Sequence, residues 1–182
     1  MRLRFAGFGG QGVVLCGYVF GRAAMLDGLR SIHTQSYGSA SRGGLTRSDV
    51  TIQQAEIYDL VPQELDVLVA MSQQSYTAFR AHLKEGGLLF YESDLVTLDE
   101  HETATAFGIA ATDLAFKTFG RKIIANMVMM GYVNSIAKIV TEASLQKTVI
   151  ESVPAGTEEL NTNALEEGAR IASGITLPEN EL

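Results

Sequence analysis

A chain of 182 residues with 46% hydrophobic side chains is sized for one ordinary domain around one core, and residues 1–182 are expected to form it. Its net charge of −7 excludes the basic field of a general nucleic-acid or anionic-membrane binder. No apolar run reaches the roughly 18 residues of a membrane span, Met1-Arg2 leads into a strand without a cleavable signal pattern, and the expectation is a cytoplasmic protein.

Residues 2–8 read as a buried strand that breaks into Gly7-Phe8-Gly9-Gly10-Gln11-Gly12. A helix over residues 11–27 follows, burying Val14, Leu15, Tyr18, Val19, Ala23 and Leu26, and Gly28 ends it. Residues 31–35 form a short second strand ahead of the polar, glycine-rich segment Ser36-Tyr37-Gly38-Ser39-Ala40-Ser41-Arg42-Gly43-Gly44. A third strand covers 46–53, with Glu56-Ile57-Tyr58 as a short hairpin partner. Val67-Leu68-Val69-Ala70 has the continuous apolar character of a buried parallel strand, and Ser72 caps a helix to about Leu83 that Gly86-Gly87 stops. Strands at 88–91 and 103–107 precede a helix at 112–119. Residues 123–140 are apolar nearly all round, the mark of a buried helix, with Met127, Met129 and Met130 as filling. Thr141 and Thr157 are placed as N-caps of two closing helices, one burying Leu145, Val149 and Ile150, the other Leu160, Ala164, Gly168 and Ile171. This alternation predicts an α/β fold: a Rossmann-like domain, mainly parallel, with helices on both faces and a helical C-terminal part.

Gly7, Gly9 and Gly12 meet the G-x-G-x-x-G spacing between a strand and a helix. A dinucleotide site also wants an acid at the end of the second strand, where His33, Thr34 and Gln35 stand. A phosphate-binding loop wants Lys then Ser or Thr where Val13-Val14 stand. Two readings remain: the helix amides hold another phosphate or carboxylate, or the glycines only permit tight packing. Arg42, with its serines and Tyr37, is suited to an anion beside those amides, or to bracing its loop against a carboxylate. The run Asp99-Glu100-His101-Glu102 reads as an exposed loop, and the histidines show no metal-ligand spacing. The sole cysteine, Cys16, reads as a small buried hydrophobe and cannot supply a cluster. No complete active site is expected on this chain.

Four segments in this order are similar to one family: Gly7-Phe8-Gly9-Gly10-Gln11-Gly12, then Gln35-Ser36-Tyr37-Gly38 with Arg42-Gly43-Gly44, then Asp66-Val67-Leu68-Val69-Ala70-Met71, then Ala125-Asn126-Met127-Val128-Met129-Met130-Gly131. Over roughly residues 3–173 the chain resembles the gamma subunit of 2-oxoacid:ferredoxin oxidoreductases. The resemblance implies a non-autonomous subunit in the oxidative decarboxylation of a 2-oxoacid to acyl-coenzyme A, with electrons passed to ferredoxin. Thiamine diphosphate, magnesium and iron–sulfur clusters are then expected on partners: alpha and beta subunits and a ferredoxin-like delta subunit. In that frame Gly7, Gly9, Gly10, Gln11, Gly12, Ser36, Tyr37, Arg42, Gly43 and Asn126 would face the assembled site and contact coenzyme A or an edge of the thiamine site. Asn126, polar in an apolar helix, has the alternative role of satisfying loop backbone groups. Gly38 precedes Ser39-Ala40-Ser41 where Pro-Glu is frequent in the family, and a 2-oxoglutarate or general 2-oxoacid type is favoured over indolepyruvate. The rival readings are a freestanding Rossmann-like nucleotide-binding or regulatory protein, and a purely structural interface subunit.

Overall fold

The computed structural model describes residues 1–37, 44–175 and 177. The strands are β1 (Arg2–Phe8), β2 (Arg30–Tyr37), β3 (Leu45–Gln53), β4 (Leu65–Ala70), β5 (Leu83–Glu92) and β6 (Thr105–Ile109). They form one sheet in the order β2-β3-β1-β4-β5-β6. β1, β4, β5 and β6 run parallel, as the continuous apolar runs predict. The second strand, however, is not the neighbour of the first. β2 and β3 form an antiparallel ladder, and β3 stands between β2 and β1, paired antiparallel from Arg2↔Thr51 to Phe8↔Leu45.

The helices are α1 (Val13–Leu26), α2 (Gln73–Phe79), α3 (Ala111–Phe119), α4 (Ala125–Ala137), α5 (Glu142–Ser152) and α6 (Glu158–Ala172). The two faces of the sheet are covered unequally. Leu3, Phe5, Val67, Val69, Leu88 and Phe90 pack with side chains of α1, α3, α4, α5 and α6. On the opposite face Ala6, Leu68, Ala70 and Leu89 cluster with Tyr76 and Phe79 of α2 and with Val96, Leu98 and Ala104 of the segment between β5 and β6. Buried Arg4 shares that face, with Nε 2.5 Å from Asp49 Oδ1 and its guanidinium 4.8 Å from the centre of the Phe79 ring.

Several sequence expectations are corrected. Glu56-Ile57-Tyr58 forms no strand. Gly86-Gly87 do not stop a helix: α2 ends at Phe79, a 3₁₀ turn covers Arg80–His82, and the glycines lie inside β5. There the register slips between Leu65↔Leu83 and Val67↔Leu88, and Gly86 supplies the required positive φ of 72°. α1 buries Cys16, Gly17, Phe20 and Ala24, whereas Tyr18 and Leu26 are exposed. Ile150 is likewise exposed. Ser72 and Thr141 cap α2 and α5 through their side chains, but the Thr157 hydroxyl turns back to Pro154 O. Glu102 is not a solvated loop residue: Arg80 Nε reaches its carboxylate at 2.7 Å, and Tyr76 OH and Ala104 N–H also donate to it. The Arg80 hydrogen bonds outweigh burial and hold this carboxyl down to about 2.

α4 and α6 cross at glycines. A Cβ on Gly131 would overlap Leu165 O, and one on Gly168 would overlap Val128 O, so each helix backbone rests on the other. At its N-terminal end α4 reaches the turn that follows β1.

Candidate functional site

The β1–α1 turn is built by backbone conformations that side chains disfavour. Gly10 has φ 104° and Gly12 φ 74°, so the chain enters α1 from the left-handed region. Gly12 occupies the N-cap without a side-chain cap, and the first helical bond of α1 is Cys16 N–H to Gly12 O at 3.1 Å. The amides of Val13, Val14 and Leu15 therefore precede the helical ladder.

Gln11 braces this turn from within. Its Oε1 accepts from Phe8 N–H at 2.6 Å, and its Nε2 donates to Met71 O at 2.8 Å, joining the ends of β1 and β4. A Cβ on Gly7 would strike that Gln11 Oε1, which explains the glycine within the strand. On the other side Gly9 N–H donates to Gly44 O at 3.1 Å. Asn126, at the start of α4, lies against Gly12 closely enough that any Cβ there would overlap its amide. Its Oδ1 accepts from Met127 N–H at 3.0 Å, and the side chain is buried.

A groove of about 760 Å³ opens between the turn, α1 and the β2–β3 hairpin. Gly9, Gly10 and Gly12 form its floor, with walls from Val14, Tyr18 and Tyr37. His33 completes it; its Nε2 is 2.7 Å from Ser48 Oγ, and burial lowers its pKa against the opposing pull of Asp49. α1 can lie on this pair because Gly17 has no Cβ to meet Ser48 and the His33 ring. No carboxylate, lysine or arginine lines the groove among the described residues. A second cavity of about 270 Å³ opens on the opposite side of Gly10 and Gln11, towards Leu95, Thr112 and Ile123.

Of the residues singled out in the sequence, Gly9, Gly10, Gly12 and Tyr37 border the larger groove, and Gly10 and Gln11 border the smaller cavity. Gly7 lies beneath Gln11, and Asn126 abuts Gly12. Ser36 is exposed on the edge strand β2, paired with Arg47, and is not in the lining. Arg42 and Gly43 lie outside the described residues. Sequence reasoning missed His33, Val14 and Tyr18 as walls, for the last two because the helix was phased to bury them. It also missed the internal engagement of both ends of Gln11. Among the described residues no group of three or more His, Cys, Asp or Glu side chains is placed to hold a metal, and no helix is long and apolar enough to cross a membrane.

A family model described as pyruvate ferredoxin/flavodoxin oxidoreductase matches residues 2–171. A 2-oxoglutarate synthase subunit KorC from Methanocaldococcus jannaschii is 39% identical over 176 residues, covering 95% of this chain and 94% of the relative. The gamma subunit of a keto/oxoacid ferredoxin oxidoreductase from Geobacter sulfurreducens superposes with a TM-score of 0.84 at 33% identity, over 96% of this chain and 99% of that one. A 2-oxoglutarate:ferredoxin oxidoreductase from Magnetococcus marinus, solved with 2-oxoglutarate, coenzyme A and succinyl-CoA bound, shares the fold with a TM-score of 0.87 at 20% identity. It matches all of this chain, which covers 32% of that longer one.

Proposed function

Because this chain belongs to the pyruvate ferredoxin/flavodoxin oxidoreductase family, as a gamma subunit of a multi-subunit 2-oxoacid:ferredoxin oxidoreductase, we propose that its glycine turn is one wall of a coenzyme A site that other subunits complete. The observation that carries this reading is the uncapped start of α1, where the amides of Val13 to Leu15 stand beside a groove with uncharged walls. Such amides suit a phosphate oxygen, and walls of Val14, Leu15 and Tyr18 suit an uncharged arm attached to it. Arg42, in the segment between β2 and β3, supplies the countercharge that the described lining lacks. Asn126 and Gln11 act as positioning residues: one lies against Gly12, and the other ties the turn to β4.

In this reading the oxoacid is 2-oxoglutarate, supported by the name of the Methanocaldococcus relative and by the ligands of the Magnetococcus complex. The enzyme works in the cytoplasm with alpha and beta subunits, a ferredoxin-like delta subunit and ferredoxin. Thiamine diphosphate with its magnesium, and the iron–sulfur clusters, sit on those partners, where they supply the decarboxylation and electron transfer. The residues of this chain do not fit a cluster. Cys16 is its sole cysteine, and burial pushes the thiol up to about 12, the opposite of what a thiolate ligand needs.

In the reconstituted complex, Arg42→Ala and Tyr37→Ala should each raise the KM for coenzyme A, the former by about tenfold for one lost charge-assisted contact. Assembly and kcat should be unchanged, since Tyr37 is 64% exposed. Normal KM values in both variants would remove the proposal. The uncharged lining favours a second reading, in which the groove seats an apolar segment of a partner and the glycines only pack. Tyr18→Ala would then weaken assembly and leave KM unaltered.

A further inference from the structure

The smaller cavity behind the glycine turn stands in a different chemical setting from the groove. Leu95 and Ile123 line it, and they are 44% and 65% exposed. Phe116, 53% exposed, lies one helical turn after Thr112 of the same lining and carries the Lys122 ammonium 5.5 Å from its ring centre. Two exposed apolar side chains thus line one depression at the C-terminal edge of the sheet, and Phe116 adjoins it through Lys122, where single scattered ones would need no explanation. Charge sets this place apart as well. Among the described residues every Lys and Arg side chain lies within 4.0 Å of a carboxylate except Arg121, Lys122 and Lys147. The first two are consecutive, and Lys122 lines this cavity. Two carboxylates of this edge are engaged elsewhere: Glu92 is buried with Oε2 on Thr112 N–H and Oγ1, and Asp113 pairs with Lys117, while Asp94 before Leu95 is exposed and acts on Lys117.

From this juxtaposition we infer that the Leu95–Phe116–Ile123 surface docks another subunit of the same complex, through an apolar side chain that enters the cavity and carboxylates that meet Arg121 and Lys122. An unpaired cation pair in a chain of net charge −7 selects an acidic rim on the partner, and the exposed apolar residues supply the anchor pocket that dominates such contacts. The docked subunit would press on Gly10 and Gln11 from behind, opposite the groove, and so hold the turn in its working conformation. The inference rests on the chain acting within a complex and is independent of what occupies the groove.

The test is co-expression with the remaining subunits of the complex, followed by measurement of association by light scattering and by titration of the purified chain. Ile123→Asp should weaken association by about a hundredfold, as loss of a buried anchor does. Arg121→Glu with Lys122→Glu should weaken it by about tenfold and reduce its salt dependence. Lys147→Glu, an unpaired cation on α5, should leave association unchanged. Unaltered thermal midpoints of the isolated chains would show that the exposed substitutions preserve the fold. Wild-type affinity in both the Ile123 and the Arg121/Lys122 variants would overturn the inference, as would failure of the wild-type chain to associate at all. Weakened association here, together with normal KM values in Arg42→Ala and Tyr37→Ala, would sustain the docking surface while the coenzyme A proposal falls.

Discussion

Glycine is used for two different ends at the middle and at the start of α4. At the α4–α6 crossing Gly131 and Gly168 have ordinary helical backbone, and what matters is the missing side chain: a carbonyl of each helix occupies the space a methyl would need. At the β1–α1 turn Gly10 has open space around its Cβ position, and what matters is its φ of 104°. At the crossing the two backbones touch, with a cavity of only about 130 Å³ beside Gly131, whereas the turn faces a groove of about 760 Å³. Packing therefore fixes one and backbone freedom the other, and α4, with Asn126 at its first turn, spans both.

The largest expected effect breaks the crossing. Gly168→Ala, which in an isolated helix would gain about 1 kcal/mol, should here cost about 3 kcal/mol because two backbones must separate; denaturant unfolding reads this directly. A neutral or stabilising result would mean that the helices can slide apart freely. Next in size, Gln11→Ala removes the hydrogen bonds to exposed Phe8 N–H and to half-buried Met71 O, which together should cost about 2 kcal/mol. Because the lost contacts hold the turn, coenzyme A turnover in the complex should fall more steeply than stability, while Gly168→Ala should lower both in step.

The smallest effect separates the regions by their response to protons. The crossing is made of carbonyls and glycines, so the cost of Gly168→Ala should not vary with pH. Glu92, behind Thr112 at the rim of the smaller cavity, is different. Burial raises its pKa above the ordinary 4.5, and the hydrogen bonds from Thr112 only partly oppose this. A carboxyl whose folded pKa lies above its unfolded one favours folding while protonated. Its contribution is fully present below 4.5 and is lost as pH rises through the folded value. Glu92→Gln should flatten that decline in unfolding free energy between acid and neutral pH. Glu102 acts in the reverse sense, supporting the fold above 4.5 and losing its contribution as pH falls towards 2. An unchanged pH profile in Glu92→Gln would show that its ionisation is not opposed by the fold.

The element order and the parallel part of the sheet were legible in the sequence, because runs such as Val67-Leu68-Val69-Ala70 are buried on both faces and admit few other conformations. The core face of α1 was not. Val13 to Leu26 is apolar almost throughout, so periodicity hardly distinguishes one face from another, and close approach at Gly17 and Gly21 sets the phase. Gly86-Gly87 carried a true signal of interruption, but a bulge and a helix stop demand the same residue. The site was legible as a glycine turn and no further. Which atoms Gln11 meets depends on Met71, 60 residues away, and the burial of Glu102 depends on Arg80 arriving from the 3₁₀ turn after α2.

The reversal of one strand alters the ruler by which such a turn measures its ligand. At the level of Gly7 the sheet reads Tyr37, Thr46, Gly7, so the end of β2 lies two strand spacings from β1. At about 4.8 Å per spacing that is roughly 10 Å, twice the distance across which a neighbouring parallel strand offers its terminal acid to a ribose. A carboxylate placed at Gln35, which lines the groove, would therefore stand one strand spacing farther from the glycine turn than the acid of a dinucleotide fold does.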